Sequence, residues 1–211
     1  EIALIKESFS SYESLQLLND ANYYRPNFPP IVKKFAQLLI DNNQLSRAKK
    51  LISKCWAVDS HQMFFEELIK IANKENKSIV DIINKLVRNN SDSYDSIVFL
   101  VKANNIKNNW IKSKELIKPI LTSKPNKTIC ELMYEIEMGI SNNTQKANSW
   151  KNRIAFGDLE KTWVCKNTGL CQEEWNSVSE GGFFDSLEWT WPKTDKLIQN
   201  DTFIPHIIGP T

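Results

Sequence analysis

Glycine, cysteine and histidine are scarce in this chain of 211 residues, which contains 6, 4 and 2 of them. So few glycines leave no glycine-rich phosphate-binding loop of the kind found in nucleotide-binding enzymes. Neither His61 nor His206 accompanies a serine or cysteine motif of nucleophilic catalysis, or a metalloprotease-type pair. We therefore expect a non-catalytic protein, in which His61 is a loop or helix-cap residue.

Long apolar runs and an excess of charge of one sign are also missing. Lys, Asp or Asn interrupts each apolar stretch, well short of the roughly 20 apolar residues that cross a bilayer. The formal net charge is +2 with lysines spread along the chain, so nucleic acid is not an expected partner. Because the chain begins with Glu1 and not with Met, we expect a longer protein whose anchor precedes this part.

The four cysteines are too few for a disulfide scaffold in a chain with this much other apolar material. Cys55 and Cys130 fall on helical patterns, where cysteine usually behaves as a small buried hydrophobic residue. Cys165 and Cys171 lie near each other in the C-terminal part, and a disulfide between them is one alternative. A reducing compartment is the favoured interpretation.

Apolar residues are plentiful and recur at spacings of three and four up to about residue 156, which is typical of amphipathic helices. In residues 29–59, a proline opens one apolar stripe, DNNQ interrupts the pattern, and a second stripe follows. This arrangement predicts an antiparallel pair of helices.

Small residues in the second helices indicate a repeat, because two helices approach closely only where a side chain is short. Ala48 lies 34 positions after Ser14, and Ala147 lies 34 positions after Ser113. A proline follows both Ser14 and Ser113 by 12 positions. Helix pairs with this period resemble the tetratricopeptide repeat, although a non-repeating bundle is the alternative. The predicted units are a partial one over 1–28 and others near 29–62, 63–93, 94–127 and 128–160.

The C-terminal part has a different pattern, with WVC at 163–165 and FDSLEW at 184–189. Together with RAKKLISKCW (47–56) and TICELMYEIE (128–137), it resembles the HemY family in its alphaproteobacterial form. That family has a short membrane-embedded N-terminal region followed by tetratricopeptide repeats. The resemblance covers about residues 12–192.

The resemblance implies a scaffold or adaptor acting in a late step of protohaem synthesis, as the soluble domain of an inner-membrane protein on the cytoplasmic side. Its implied partners are proteins, including haem-biosynthesis enzymes. This fragment itself is not expected to contact the membrane. The alternative is a general adaptor in envelope assembly or protein quality control, unrelated to haem.

The C-terminal segment also resembles a rubredoxin-type ribbon, in which C-x-x-C-G and C-x-x-C-G-x-F-D-S-L-x-W supply four thiolates to one metal. Its four ligand positions hold Cys165, Thr168, Val178 and Gly181 here, so no metal is expected. Gly169 and Gly182 remain as the turn residues. We expect a β-ribbon held by packing instead of metal, capping the last helix pair. The residues expected in this cap are Trp163, Cys165, Trp175, Phe184 and Trp189.

No cofactor is expected, although haem or porphyrin binding stays an alternative because of the family that the chain resembles. Axial ligation of haem uses His, Cys or Met. The candidate ligands are Cys165, Cys171, His61, Met63, Met133 and Met138. Core packing explains Met133 and Met138 better.

In a solenoid of such repeats, the concave surface consists of first-helix residues that do not face the core. The residues that the repeat phase assigns to this partner-binding surface are Lys33, Gln37, Ile40, Asp95, Val98, Lys102 and Asn105. Taken singly, each also fits an ordinary solvated helix face. We therefore predict an all-α right-handed solenoid over 1–160, a small aromatic-rich β-ribbon over 161–192 and an extended tail over 193–211.

Overall fold

The computed structural model describes residues 11–141 and 144–192 of the chain. Within these ranges the protein is mostly helical and has one small antiparallel sheet of three strands. The chain divides into two compact units, Glu1–Phe156 and Gly157–Thr211, where the sequence predicted a boundary after residue 160. The predicted extended tail, 193–211, lies outside the described residues, as does His206.

The described part of the first unit contains nine α-helices. They are α1 (Ser11–Tyr24), α2 (Pro29–Asp41), α3 (Leu45–Val58), α4 (Phe65–Lys74), α5 (Ile79–Leu86), α6 (Tyr94–Ile106), α7 (Trp110–Leu116), α8 (Lys127–Ser141) and α9 (Thr144–Arg153). Short 3₁₀ helices cover Gln62–Phe64, Lys118–Ile120 and Ile154–Phe156. From α2 onward the helices form four contacting pairs, α2 with α3, α4 with α5, α6 with α7 and α8 with α9. Each pair falls on one of the predicted units.

Asparagine forms the turn between the helices of the first three pairs. Asn43, Asn76 and Asn108 have φ angles of 58°, 52° and 57°. After each of them, the next backbone N–H donates to a carbonyl oxygen five residues earlier, at 2.8 to 2.9 Å. Asparagine tolerates this left-handed conformation better than most other residues with a side chain. A chain with few glycines can therefore end its helices in the same way three times.

The small residues that indicated the repeat lie where two helices meet. Ala48 in α3, Ser113 in α7 and Ala147 in α9 are fully buried, which confirms the expected close approach within these pairs. The Ser113 hydroxyl also donates to the carbonyl oxygen of Val101 in α6, at 3.4 Å. Ser14 in α1 is half-buried.

Helix α6 joins two hydrophobic cores. Its Phe99 and Ala103 belong to a large core shared with α1 to α5, whereas Val98 and Val101 belong to a smaller core shared with α8 and the end of α7. The Phe99 ring lies 4.6 Å from the ring of Trp56, measured between centroids. Because α6 is apolar on most of its circumference, it can be covered from both sides.

The second unit is built on three strands, β1 (Thr162–Cys165), β2 (Cys171–Gln172) and β3 (Leu187–Thr190), in the order β2-β1-β3. Both pairings are antiparallel. In antiparallel strands, directly paired residues point to the same face, and faces alternate along each strand. One face therefore carries Trp163, Cys165, Gln172, Leu187 and Trp189.

The strand register decides the question of a Cys165–Cys171 disulfide. Cys171 pairs with Val164, so its side chain leaves the sheet on the face opposite to Cys165. Both thiols are free, as are those of Cys55 and Cys130. Cys165 and Cys171 therefore do not form a disulfide in this structure.

We predict that Phe99→Ala lowers the free energy of unfolding by about 3–5 kcal/mol, because it leaves a cavity in the core that joins α6 to α3 and α4. Urea unfolding followed by far-ultraviolet circular dichroism measures this change. Ile111→Ala is the control, since Ile111 is 72% exposed and its loss should change the value by no more than about 0.5 kcal/mol. Equal losses in the two variants would contradict the central position of Phe99.

Candidate functional site

A groove of about 470 Å³ lies in the helical unit, between three first helices. Helix α4 contributes its start, α6 its C-terminal end and α8 its N-terminal half, with Trp110 at the beginning of α7. The lining residues are Phe65, Glu66, Lys102, Asn105, Ile106, Trp110, Thr128, Glu131, Leu132 and Glu135. The volume falls in the range of pockets that hold a small molecule or a few side chains.

Trp110 can lie at the groove because the neighbouring helix has a glycine, and so no side chain, where the ring contacts it. A Cβ atom added to Gly139 of α8 would lie 2.1 Å from the Trp110 ring, which is far inside contact distance. Only glycine lets the ring rest directly on the α8 backbone. The same ring borders a second cleft lined by Ile111 and Ile140.

The charges of the groove are mostly negative. Three carboxylates, those of Glu66, Glu131 and Glu135, line it against the single ammonium group of Lys102, so two negative charges remain. Glu131 lies 4.0 Å from the exposed ammonium group of Lys127, which is a weak surface pair. The groove is therefore acidic in a chain whose formal net charge is +2.

Asn105 lies at the buried side of the groove, with 6% of its surface exposed. Its Nδ2 donates to Oε2 of Glu135 at 2.8 Å. Its Oδ1 is buried and has no hydrogen-bond partner in the described part of the chain. An unsatisfied buried acceptor of this kind costs about 1–3 kcal/mol.

Of the seven predicted partner-binding residues, Lys102 and Asn105 line the groove. Ile40 and Val98 were predicted on the same surface, and this prediction is wrong because both side chains lie in the hydrophobic cores. Ile40 is 1% exposed, and Val98 has no exposed surface. The repeat spacing predicted correctly that both residues lie on first helices. It did not predict which neighbouring helices bury their side chains.

The other three predicted residues lie outside the groove. Gln37 donates from Nε2 to Oε1 of Glu67 at 2.9 Å, and Asp95 accepts from the Ser60 hydroxyl at 2.9 Å. Lys33 is half-buried. These contacts link helices or a loop to a helix.

The sequence prediction missed the acidic side of the groove. Glu131 and Glu135 stand four positions apart on α8, and therefore on the same face of that helix. Residues of the partner-binding surface were predicted in α2 and α6 from their positions in the repeat. The same repeat positions applied to the unit 128–160 would have indicated α8 as well. Trp110 carried no signal of this kind, because it begins a second helix.

In the second unit, Cys165 is surrounded by hydroxyl groups. Its side chain is 1% exposed, and Sγ lies 3.3 Å from Oγ of Ser186 and 3.5 Å from Oγ of Ser179. Burial raises the pKa of the Cys165 thiol, but hydrogen bonds from Ser179, Ser186 and the side chain and backbone of Thr168 together lower this pKa to about 6. The site can therefore hold a thiolate without a cation.

Two loops bring these hydroxyl groups together. Gly169 and Gly182, the expected turn residues, have φ angles of 76° and 81°. A Cβ atom built on Gly181 would lie 3.1 Å from Cγ2 of Thr168, so the two loops touch at predicted ligand positions. Among the described residues, no three His, Cys, Asp or Glu side chains are grouped as a metal site requires.

Val178, which stands at one of the four ligand positions of the motif, does not face Cys165. Val178 is 48% exposed and forms an isolated β-bridge with Phe184, whereas Ser179 is buried and contacts the thiol. The bridge turns Val178 outward and its neighbour inward, because side chains alternate along an extended backbone.

Packing of aromatic side chains accounts for only some of the contacts that stabilise the ribbon. The rings of Trp163 and Trp189 lie 5.4 Å apart, and Trp175 is half-buried. Phe184 is 61% exposed, so its predicted place in the packed cap is wrong. Around Cys165 the close neighbours are hydroxyl groups, which the cap hypothesis did not include.

His61 and Met133, two of the other candidate haem ligands, have roles in helix capping and core packing. His61 is buried and its Nδ1 accepts from the Met63 backbone N–H at 3.2 Å, which confirms the helix-cap prediction. Met133 belongs to the smaller core.

Cys55 and Cys130 are fully buried in helices, as predicted, and burial together with the charge of Asp59 raises the pKa of Cys55 to about 12.

We compared the chain with protein-family models, with curated proteins and with solved structures, and none of the three comparisons gave a match. Among the described helices, none combines the length and the apolar character that a bilayer crossing requires. The groove and the ribbon are therefore the features of the molecule that bear on its function.

We predict that the Cys165 thiolate titrates with a midpoint near pH 6, compared with the ordinary value of 9.0. The measurement is the ultraviolet thiolate absorbance of the wild-type protein minus that of Cys165→Ala. Replacing Ser179 and Ser186 by alanine removes two of the hydrogen bonds that lower the pKa, so the midpoint should rise. A wild-type midpoint at 9 or above would contradict the hydrogen-bonded thiolate.

The same shift makes stability depend on pH. Because the folded-state pKa lies below that of the unfolded chain, the ionised thiolate stabilises the fold fully above about pH 9. This contribution is lost as the pH falls through about 6. The difference in unfolding free energy between wild type and Cys165→Ala should therefore shrink as the pH is lowered from about 9 to 5, in chemical denaturation.

Proposed function

We propose that this protein is a non-catalytic scaffold whose helical unit is a tetratricopeptide-like solenoid that binds a protein partner along its first helices. The observation that carries the proposal is a polar link repeated between successive first helices. Gln37 of α2 donates to Glu67 of α4, and Asn105 of α6 donates to Glu135 of α8. In both links an amide meets a glutamate 30 positions later.

A second repeated contact supports the same stacking. Lys49 follows the small residue Ala48 and pairs with Glu75, just after α4. Lys114 follows the small residue Ser113 and pairs with Glu137 of α8 at 2.5 Å. In these two cases a second helix contacts the next unit through a lysine at the same position of the repeat. Contacts that recur between neighbouring units are what a stacked repeat requires.

The groove lies where such a solenoid would bind a partner. It is bounded by α4, α6 and α8, the first helices of three consecutive units. Scaffolds of this architecture use the row of first helices as a continuous binding surface. An aromatic ring, apolar side chains and charged groups meet there, as they do at the centre of many protein interfaces.

The more specific part of the proposal is that the scaffold belongs to a membrane-anchored HemY-type protein. It would act at the cytoplasmic face of the inner membrane, where it organises enzymes of a late step of protohaem synthesis. Support comes from the ribbon, in which Gly169 and Gly182 make turns and serine hydroxyl groups contact Cys165. These features fit a rubredoxin-like knuckle in which hydrogen bonds occupy the place of the metal.

We expect the purified protein to bind purified ferrochelatase, or the protoporphyrinogen-oxidising enzyme, in biolayer interferometry. Trp110→Ala should weaken that binding about tenfold, because aromatic residues at the centre of an interface carry much of its binding energy. Trp191→Ala is the matched control, since Trp191 is an exposed tryptophan of the other unit.

The outcomes separate the two parts of the proposal. Absence of binding to either enzyme would overturn the haem role and favour a general adaptor in envelope assembly or quality control. Binding that both tryptophan variants weaken equally would overturn the assignment of the groove. Circular dichroism of both variants checks that the helices remain folded.

A further inference from the structure

We infer that the groove between α4, α6 and α8 takes an arginine-rich segment of the partner protein. The inference rests on the proposed function, because it names the chemistry of the segment that the scaffold binds. The starting point is the balance of donors and acceptors in the groove. Three carboxylates and the Oδ1 atom of Asn105 are acceptors, whereas the side chains of Lys102, Thr128 and Trp110 can donate.

Charge complementarity favours a cationic segment over an anionic one. Glu66, Glu131 and Glu135 would surround a bound cation, and Lys102 is the one basic residue in the lining. The formal net charge of the whole chain is +2, so a cationic peptide is not drawn to the protein by its overall charge. Binding would have to come from the local arrangement of these glutamates.

The unsatisfied Asn105 is an observation independent of the acidic residues. Its side chain is more than nine-tenths buried, lines the groove and already donates to Glu135, which leaves Oδ1 without a partner. A small rotation of the Asn105 side chain, which lines the groove, would bring this acceptor to a ligand that carries donors and no acceptors. Guanidinium has five N–H donors in a plane and no acceptor.

The aromatic residues distinguish arginine from lysine. Phe65 and Trp110 both line the groove, and Lys102 already places its ammonium group 5.6 Å from the centroid of the Phe65 ring. This contact shows that a cation fits over the ring at that distance. A planar guanidinium stacks on an aromatic face and still bridges a carboxylate, which a compact ammonium group cannot do as well.

The test uses fluorescein-labelled peptides of equal length, in which four serines alternate with four arginines, four lysines or four glutamates. Fluorescence anisotropy with the intact protein should give affinities in the order arginine, lysine, glutamate. Added salt should weaken the arginine peptide, because exposed charge pairs are screened. Equal or stronger binding of the glutamate peptide would overturn the inference.

Two variants assign that binding to the groove. The triple variant E66Q/E131Q/E135Q should raise the Kd of the arginine peptide about tenfold or more, as expected for the loss of three partly exposed carboxylate contacts. Lys102→Gln should lower the Kd, because it removes the one repelling charge of the lining. The control, Glu173→Gln, changes an exposed glutamate of the other unit and should leave the Kd unchanged.

Opposite shifts in the triple and lysine variants distinguish groove binding from a folding defect, which would weaken binding in both. An unchanged Kd in both variants would overturn the inference. If the haem-pathway enzymes bind and Trp110→Ala weakens them while the arginine peptide does not bind, the proposed function stands and the arginine inference fails. If the arginine peptide binds as expected and the enzymes do not, the haem role fails alone.

Discussion

The helical unit depends on the burial of α6 from two sides. Phe99 packs into the larger core while Val98, the preceding residue, packs into the smaller one, so a single helix connects all the others. A helix covered all round has little solvent-facing surface for its polar residues, and each of them must be paired inside the protein. Asn104 donates to the Leu100 carbonyl oxygen, and Asn105 donates to Glu135.

The burial of α6 from two sides also determines where the groove lies. Toward its C-terminal end α6 emerges from between the cores, and there Lys102 and Asn105 meet the first helix of the next unit. The hydrogen bond from Asn105 to Glu135 serves the packing of α6 on α8, yet it leaves the Oδ1 atom unsatisfied. An acceptor left in this way lowers the stability of the fold until a donor reaches it.

The sequence alone predicted the helix pairs well, because apolar periodicity and the buried Ala48 and Ser113 are local or regularly spaced signals. It did not predict which faces are covered. Residues 97–101 of α6 are a continuous apolar run without a stripe, so the position of Val98 depends on helices far away in the chain. The groove was predictable in part, through Lys102 and Asn105, whereas Glu131 becomes part of it only when three helices are stacked.

The ribbon shows the same limit of prediction from the sequence. Motif spacing located the turns at Gly169 and Gly182, but the isolated bridge between Val178 and Phe184 decides that Ser179 faces Cys165. Four thiolates at one point would repel each other without a divalent cation to neutralise them. A single thiolate carries one charge, which hydroxyl and backbone donors can stabilise by themselves. The hydroxyl and backbone donors around Cys165 therefore do for one charge what a cation would have to do for several.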